Sequence, residues 1–275
     1  MGQTIGLCRL PACTEERRFS VLIIPLGING YMPSFGRQTA TILVIDNGHA
    51  AILDAGTGLA RLREPRIKSL VDRCDTVSII LSHYHLDHVI GLTYLPDVLP
   101  DREVTIFAPA PPLTDYGPDE ALSHLFHQSL FSLDLPRFPV PPRIVPLRER
   151  EATHGPHAIR VQRQAHDGGS LAIRLGGLVY VTDTPASRET VAFAGGASLL
   201  LHEVWFDGAS PGGDRSRHSD AREVAAIAVE AKASRLAPVH LNPAWDPERV
   251  LQVCAAMNGI HGSVAVPLEC EPIVF

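Results

Sequence analysis

Seven residues, Ser82-His83-Tyr84-His85-Leu86-Asp87-His88, constrain this chain more than any other stretch. They follow directly on the apolar run VSIIL at 77–81, whose length and Val/Ile content read as a buried β-strand. If the strand direction continues, its period of two sets His83 and His85 on one face, with Asp87 and His88 in the turn beyond. Four imidazole or carboxylate groups then converge within six residues. These are borderline ligands suited to Zn, Fe or Mn, and further groups from elsewhere would complete two metal sites. The bland alternative, a polar strand end facing water, requires all four to coincide by chance.

Composition narrows the partners. Thirty Asp+Glu against 24 Lys+Arg leave a net charge of −6, which argues against stable nucleic-acid binding, because that affinity comes largely from Lys and Arg neutralising phosphates. The 45% hydrophobic content is that of a globular protein. Cys8, Cys13, Cys74, Cys254 and Cys270 are scattered without a C-x-x-C spacing, so neither a disulfide framework nor a zinc ribbon is expected. The first twenty residues lack an apolar core and no run approaches the ~18 apolar residues of a membrane span, so a cytoplasmic protein without membrane association is expected.

Short β-segments punctuated by Gly and Pro are expected at 19–26, 39–45, 50–53, 77–81 and 104–108, with helices at 66–74 and 88–95. Residues 109–147 hold many of the 23 prolines around one helix-like stretch, 119–130, and read as an extended connection. Strands resume at 158–165, 171–175, 178–182 and 198–201, with Gly176-Gly177 as a two-residue hairpin turn. Asp220 with Glu223 opens a helix whose stripe is Val224, Ile227, Ala228 and Ala231. Asp246 with Pro247 opens another, striped by Val250, Val253, Cys254 and Met257. No linker or repeat divides the chain. Two halves, each strands followed by helices, predict one α/β domain over residues 1–275: an αββα sandwich of two mixed β-sheets with helices on the outer faces.

The H-x-H-x-D-H pattern at the end of a strand resembles the fingerprint of the metallo-β-lactamase superfamily, and the resemblance extends over nearly the whole chain. Ile52-Leu53-Asp54-Ala55-Gly56-Thr57-Gly58 is similar to its first motif, which implies that Asp54 lies behind the metal site. Ala165-His166-Asp167-Gly168-Gly169-Ser170 resembles the third, implying that His166 joins His83 and His85 on one metal. Tyr180-Val181-Thr182-Asp183-Thr184 resembles the fourth, implying that Asp183 bridges both metals. Pro238-Val239-His240-Leu241-Asn242-Pro243 resembles the fifth, implying that His240 completes a second metal with Asp87 and His88. The resemblance thus implies two divalent ions, Zn2+ first and Mn2+ or Fe as alternatives. Homodimers are common in this family, so a homodimer is a further expectation.

Within the superfamily, Leu26-Gly27-Ile28-Asn29-Gly30-Tyr31-Met32-Pro33 resembles the glycine-rich opening of the transfer-RNA 3′-processing ribonucleases (ribonuclease Z) and related phosphodiesterases, with Ile28 where Thr is usual. Arg217-His218-Ser219-Asp220 and Leu201-His202-Glu203-Val204 are similar to that group's proton-donor segment and to the segment whose acid orients it. Phe138-Pro139-Val140 and the pattern at His166 look closer to bacterial cyclic-nucleotide-phosphodiesterase-like members. The long basic, glycine-rich RNA-holding arm has no counterpart. Two divalent ions less the charges of Asp87, Asp183 and a bridging hydroxide leave about +1, which suits a phosphodiester monoanion. The expected reaction is attack by that hydroxide on a small anionic diester, with catalytic roles for Asp87 and Asp183, His218 as acid and Glu203 holding the His218 tautomer. Arg215 and Arg217 are candidate phosphate contacts. The rival within the family is a lactone, thioester or other carbonyl hydrolase. An oxygen-reducing di-iron protein would carry Glu where this chain has His85, and a non-catalytic relative would lack ligands.

Overall fold

The computed structural model describes residues 21–154, 157–208 and 216–274. Two six-stranded sheets face each other. The first runs β1 (Leu22–Gly27), β2 (Thr41–Asp46), β3 (His49–Leu53), β4 (Thr76–Ile80), β5 (Val104–Pro109) and β6 (Arg143–Leu147), in chain order. Its first three strands are antiparallel and the remaining neighbours parallel. The second contains β7 (Glu151–His154), β8 (His157–Gln164), β9 (Ser170–Leu175), β10 (Leu178–Val181), β11 (Leu199–Glu203) and β12 (Leu236–Val239), again adjacent in chain order. The β10/β11 and β11/β12 pairs are parallel, so both sheets are mixed.

Strand alternation builds the layers. Ala51 and Leu53 of β3 and Ile80 of β4 point inward, where they meet Leu178 and Tyr180 of β10 and Leu199 and Leu201 of β11 in a shared core. The intervening Ile52 and Ile79 point outward against Ile67 and Val71 of α1 (Pro65–Asp72). Val179, Val181 and Leu200 do the same against Val224, Ala225 and Ala228 of α6 (Ala221–Glu230) and Val250, Val253 and Met257 of α7 (Pro247–His261). The result is an αββα sandwich. Asp220 and Asp246 cap α6 and α7 by accepting from Arg222 N and Arg249 N. Leu175 pairs with Leu178 across the Gly176-Gly177 turn, and the buried stripes of both helices are those expected.

Three expectations need correction. The helix expected at 88–95 is broken into α2 (Leu86–Val89), a 3-10 stretch (Ile90–Tyr94) and α3 (Leu95–Val98). There the Ala55 N–H donates to His88 O and the Gly91 N–H to Ala55 O, so the neighbouring turn takes backbone groups that a continuous helix would pair internally. The helix expected at 119–130 is α4 (Pro118–Leu125) and stops early, because Phe126 turns in to pack edge-on against Phe131 and Phe138. The Pro-rich connection contains β6, which tolerates Pro146 because it is an edge strand. Among the described residues a further short α-helix is α5 (Arg188–Phe193), and 3-10 turns span Thr57–Arg63 and Leu135–Arg137. Among the described residues no helix is long and apolar enough to cross a membrane.

Candidate metal centre

The candidate residues gather where strands of both sheets end. Asp54 follows β3, His83 follows β4, His166 follows β8, Asp183 follows β10 and His240 follows β12. Asp54, Asp183 and His240 all take left-handed backbone angles, with φ of 57°, 48° and 46°. Each costs an L-residue about 1–2 kcal/mol, and such outliers collect where side chains must be aimed against local preference.

Asp54 is fully buried and forms the foundation. Its Oδ1 accepts from Ser82 N (2.7 Å), and its Oδ2 accepts from Ser82 Oγ (2.8 Å), Tyr180 Oη (2.7 Å) and His88 Nδ1 (2.8 Å). Ser82 Oγ spends its proton on Asp54, so it accepts from His83 Nδ1 at 3.0 Å and leaves the His83 Nε2 lone pair facing outward. One buried carboxylate thereby sets the tautomers of two histidines.

Two clusters result. His83 Nε2 and His166 Nε2 each lie 3.1 Å from His85 Nδ1, and Asp183 Oδ1 lies 3.6 Å from His166 Nε2 and 4.0 Å from His83 Nε2. In the second, His88 Nε2 and His240 Nε2 are each 3.3 Å from Asp87 Oδ2, and 3.1 and 3.2 Å from Asp183 Oδ2. Asp183 therefore offers one carboxylate oxygen to each cluster. Ligand atoms from His83, His85, His166 and Asp183, one each, lie within 4.8 Å of one another, as do those of Asp87, His88 and His240, a spacing that could hold a metal ion in each. His85 is exposed, so the first cluster opens to solvent on that side.

The buried chemistry fits a cation. His88 Nε2 makes no hydrogen bond although two carboxylate oxygens lie within 3.3 Å, which leaves that nitrogen and both oxygens to a cation, a metal ion or, without one, a proton. Burial and the neighbouring His88 charge hold His83 well below the usual imidazole range. Burial also lowers His85 and His166, so these three stay neutral, as ligands must. Burial opposes charge on His88 and His240 as well, yet surrounding carboxylates override it. Asp87, Asp183 and Asp54 raise His88 well above the usual value, and Asp183, Asp87 and Glu203 push His240 up to about 10. Asp87 and Asp183 are correspondingly held far below the ordinary carboxylate range despite their burial.

Beside both clusters stands His218, grouped with Asp183 and His240. Its Nδ1 donates to Glu203 Oε2 at 2.8 Å, and Glu203 Oε1 accepts from Thr184 N at 2.5 Å. Glu203 is fully buried at the end of β11. Arg217 forms an exposed ion pair with Asp167 at 2.7 Å, linking the His218 segment to the His166 loop. Arg215 lies outside the described residues.

Several contributors were given no role by sequence reasoning. Trp205 stacks on the His218 ring, centroids 4.7 Å apart at 20°, and Tyr180 reaches Asp54 from the opposite sheet. Thr182 Oγ1 donates to Asp183 Oδ2 (2.6 Å), and the Tyr31 N–H donates to Asp87 Oδ2 (2.7 Å). The last gives the glycine-rich opening its role, for a Cβ on Gly30 would sit 2.4 Å from the His240 ring. Tyr180, Thr182 and Tyr31 lie within the motifs quoted above and carried a local signal; Trp205 carried none.

Comparison with known proteins agrees with this architecture. The metallo-β-lactamase superfamily profile matches residues 35–240. A ribonuclease Z of Natronomonas pharaonis is 25% identical, over 92% of this chain and 97% of its own length. YhfI, a metallo-β-lactamase fold protein from Bacillus subtilis, superposes with a TM-score of 0.72 at 19% identity, covering 92% of this chain and 98% of the other. A diphosphatase of the PhnP family superposes at 0.68 with 14% identity, covering 93% and 98%. With two facing mixed sheets, His/Asp groups able to hold metal at their strand ends, and a profile match over most of its length, the chain belongs to the metallo-β-lactamase superfamily and is a hydrolase of that group.

Proposed function

We propose that this hydrolase cleaves phosphodiesters at a centre for two divalent ions, most simply Zn2+. His83, His85 and His166 would hold one, and Asp87, His88 and His240 the other, with Asp183 between them. When bound, such ions neutralise the phosphoryl oxygens and make water a nucleophile near neutral pH. The observation that carries the reading is His218, anchored through Nδ1 to buried Glu203 and set beside Asp183 and His240. Glu203 selects the tautomer with Nε2 free, and His218 in its charged form can hand a proton to a departing alkoxide. Thr182 and the Ser170 hydroxyl, which donates to Asp183 O at 2.8 Å, keep Asp183 aimed between the clusters. With Glu203 offset by a charged His218, two divalent ions less the charges of Asp87, Asp183 and a hydroxide would leave about +1, which favours an anion of one charge.

The ribonuclease Z relative supports a phosphate ester as substrate, and the chain's net charge of −6 favours a small diester over a polyanionic RNA. The test is metal content together with hydrolysis of chromogenic and alkyl phosphodiesters by wild type, Asp183→Ala and His218→Ala. The expected result is about two metals per chain and diesterase activity abolished by Asp183→Ala. Two metals with hydrolysis of a lactone or thioester outrunning every diester would refute the phosphodiester reading.

A further inference from the structure

A cavity of about 470 Å³ has walls that include Tyr84, Leu86, Tyr116, Glu120, His124 and Leu130, of which Tyr84 and Leu86 flank the exposed His85 in the chain. Resting on the phosphodiester reading, we infer that this cavity receives the ester group retained on phosphorus and selects a flat, uncharged aromatic group, such as an aryl ring or a nucleobase. Its position carries the first half of the argument. Leu86 lies between His85 and Asp87 in the chain, and Tyr116 packs on Gly168, two residues past His166. A Cβ there would stand 3.0 Å from the Tyr116 ring, and the Asp115 N–H donates to Gly168 O at 2.9 Å. The cavity wall is thus continuous with the loops that carry His85 and His166. His218, stacked on Trp205 with its ring 5.7 Å from those of both His166 and His240, is where the leaving oxygen departs, and in-line displacement keeps the retained ester group off the line to His218.

The lining carries the second half. Leu86, Tyr116 and Leu130 are 62%, 51% and 76% exposed, three large apolar side chains around one mouth. Tyr84 turns its hydroxyl away to Pro109 O (2.5 Å) and offers the cavity its ring. Among the described residues no Lys or Arg lines the cavity, whereas Glu120 and His124 do. A second phosphate or a carboxylate on the retained group would therefore meet no Lys or Arg of the lining and one like charge, whereas an aromatic ring gains stacking and burial. The amino groups of a base would find the Glu120 carboxylate as acceptor.

The experiment uses the metal-loaded full chain and diesters that share p-nitrophenol as leaving group, with methyl, phenyl or 4-carboxyphenyl as the retained group. Wild type is expected to show a KM about tenfold lower for phenyl than for methyl, with 4-carboxyphenyl weakest. Tyr116→Ala and Leu130→Ser, both at exposed positions, should each raise KM for the phenyl ester severalfold and reduce the phenyl preference with little change in its kcat. Glu120→Lys should reverse the ranking of phenyl and 4-carboxyphenyl. If wild type hydrolyses all three diesters without preference, or the preference survives Tyr116→Ala and Leu130→Ser, the cavity inference falls while the phosphodiester reading stands. If none is hydrolysed by protein of full metal content, the phosphodiester reading itself fails.

Discussion

Replacing Asp54 by Asn separates the hydrogen-bonding role of this residue from its backbone role, because Asn tolerates the φ of 57° found there. The carboxylate accepts four hydrogen bonds, from Ser82 N, Ser82 Oγ, His88 Nδ1 and Tyr180 Oη, at 2.7–2.8 Å and without solvent. An amide oxygen accepts two, so at least two of the four donors lose their partner. At about 1.5–3 kcal/mol for each bond to a charged group, the loss is about 3–6 kcal/mol. For a chain of this size that lowers the melting temperature of the metal-free protein by on the order of 10 °C. His88 also loses the partner that keeps its Nε2 bare, so metal affinity at the second cluster should fall roughly 10–100-fold while the first is less affected. Calorimetric melting after EDTA treatment and titration with Zn2+ read the two effects separately. A variant melting within about 2 °C of wild type, with both Zn2+ affinities intact, would refute the assignment of Asp54 as the buried anchor of this site.

His218→Ala should spare a p-nitrophenyl diester to within about tenfold and slow an alkyl diester by roughly 10²–10⁴-fold, since only the poor alkoxide needs a proton; equal losses on both would exclude the acid role. Gly30→Ala would drive a methyl group into the His240 ring, so metal analysis should find the second cluster's ion lost and the first retained. In the metal-free protein, His240 is raised from 6.5 to about 10, and a raised pKa stabilises the fold fully below the unfolded value. That contribution should fade from about pH 6.5 to 10 in denaturant titrations. Metal entering the second cluster must displace the same proton, so Zn2+ affinity should rise over this window, and calorimetry in buffers of different ionisation enthalpy should detect proton release.

Much of the architecture was legible because it follows from local rules. Alternation along residues 50–53, 77–81 and 178–182 states which side chains face inward, and the capped stripes beginning at Asp220 and Asp246 state which helical faces are buried. The His83-to-His88 segment is legible for the same reason, since ligands within six residues are brought together by one strand end and one turn. What failed was set by partners far away in the chain. β6 exists because β5 offers it an open edge, and the helix at 88–95 breaks because the turn after Asp54 claims its backbone groups.

By itself, then, the sequence determined the layers of the sandwich, through periodicities that act over a few residues, and pointed to the candidate ligands through their resemblance to the family's motifs. Folding decided which oxygen of Asp183 faces which histidines, that Tyr180 crosses 126 positions to Asp54, and that Trp205 and Glu203 hold His218 between them. These relations arise from how the ends of two sheets meet. Periodicity within either sheet says which face a side chain occupies but not the relative placement of the two, which is fixed by packing across the shared core.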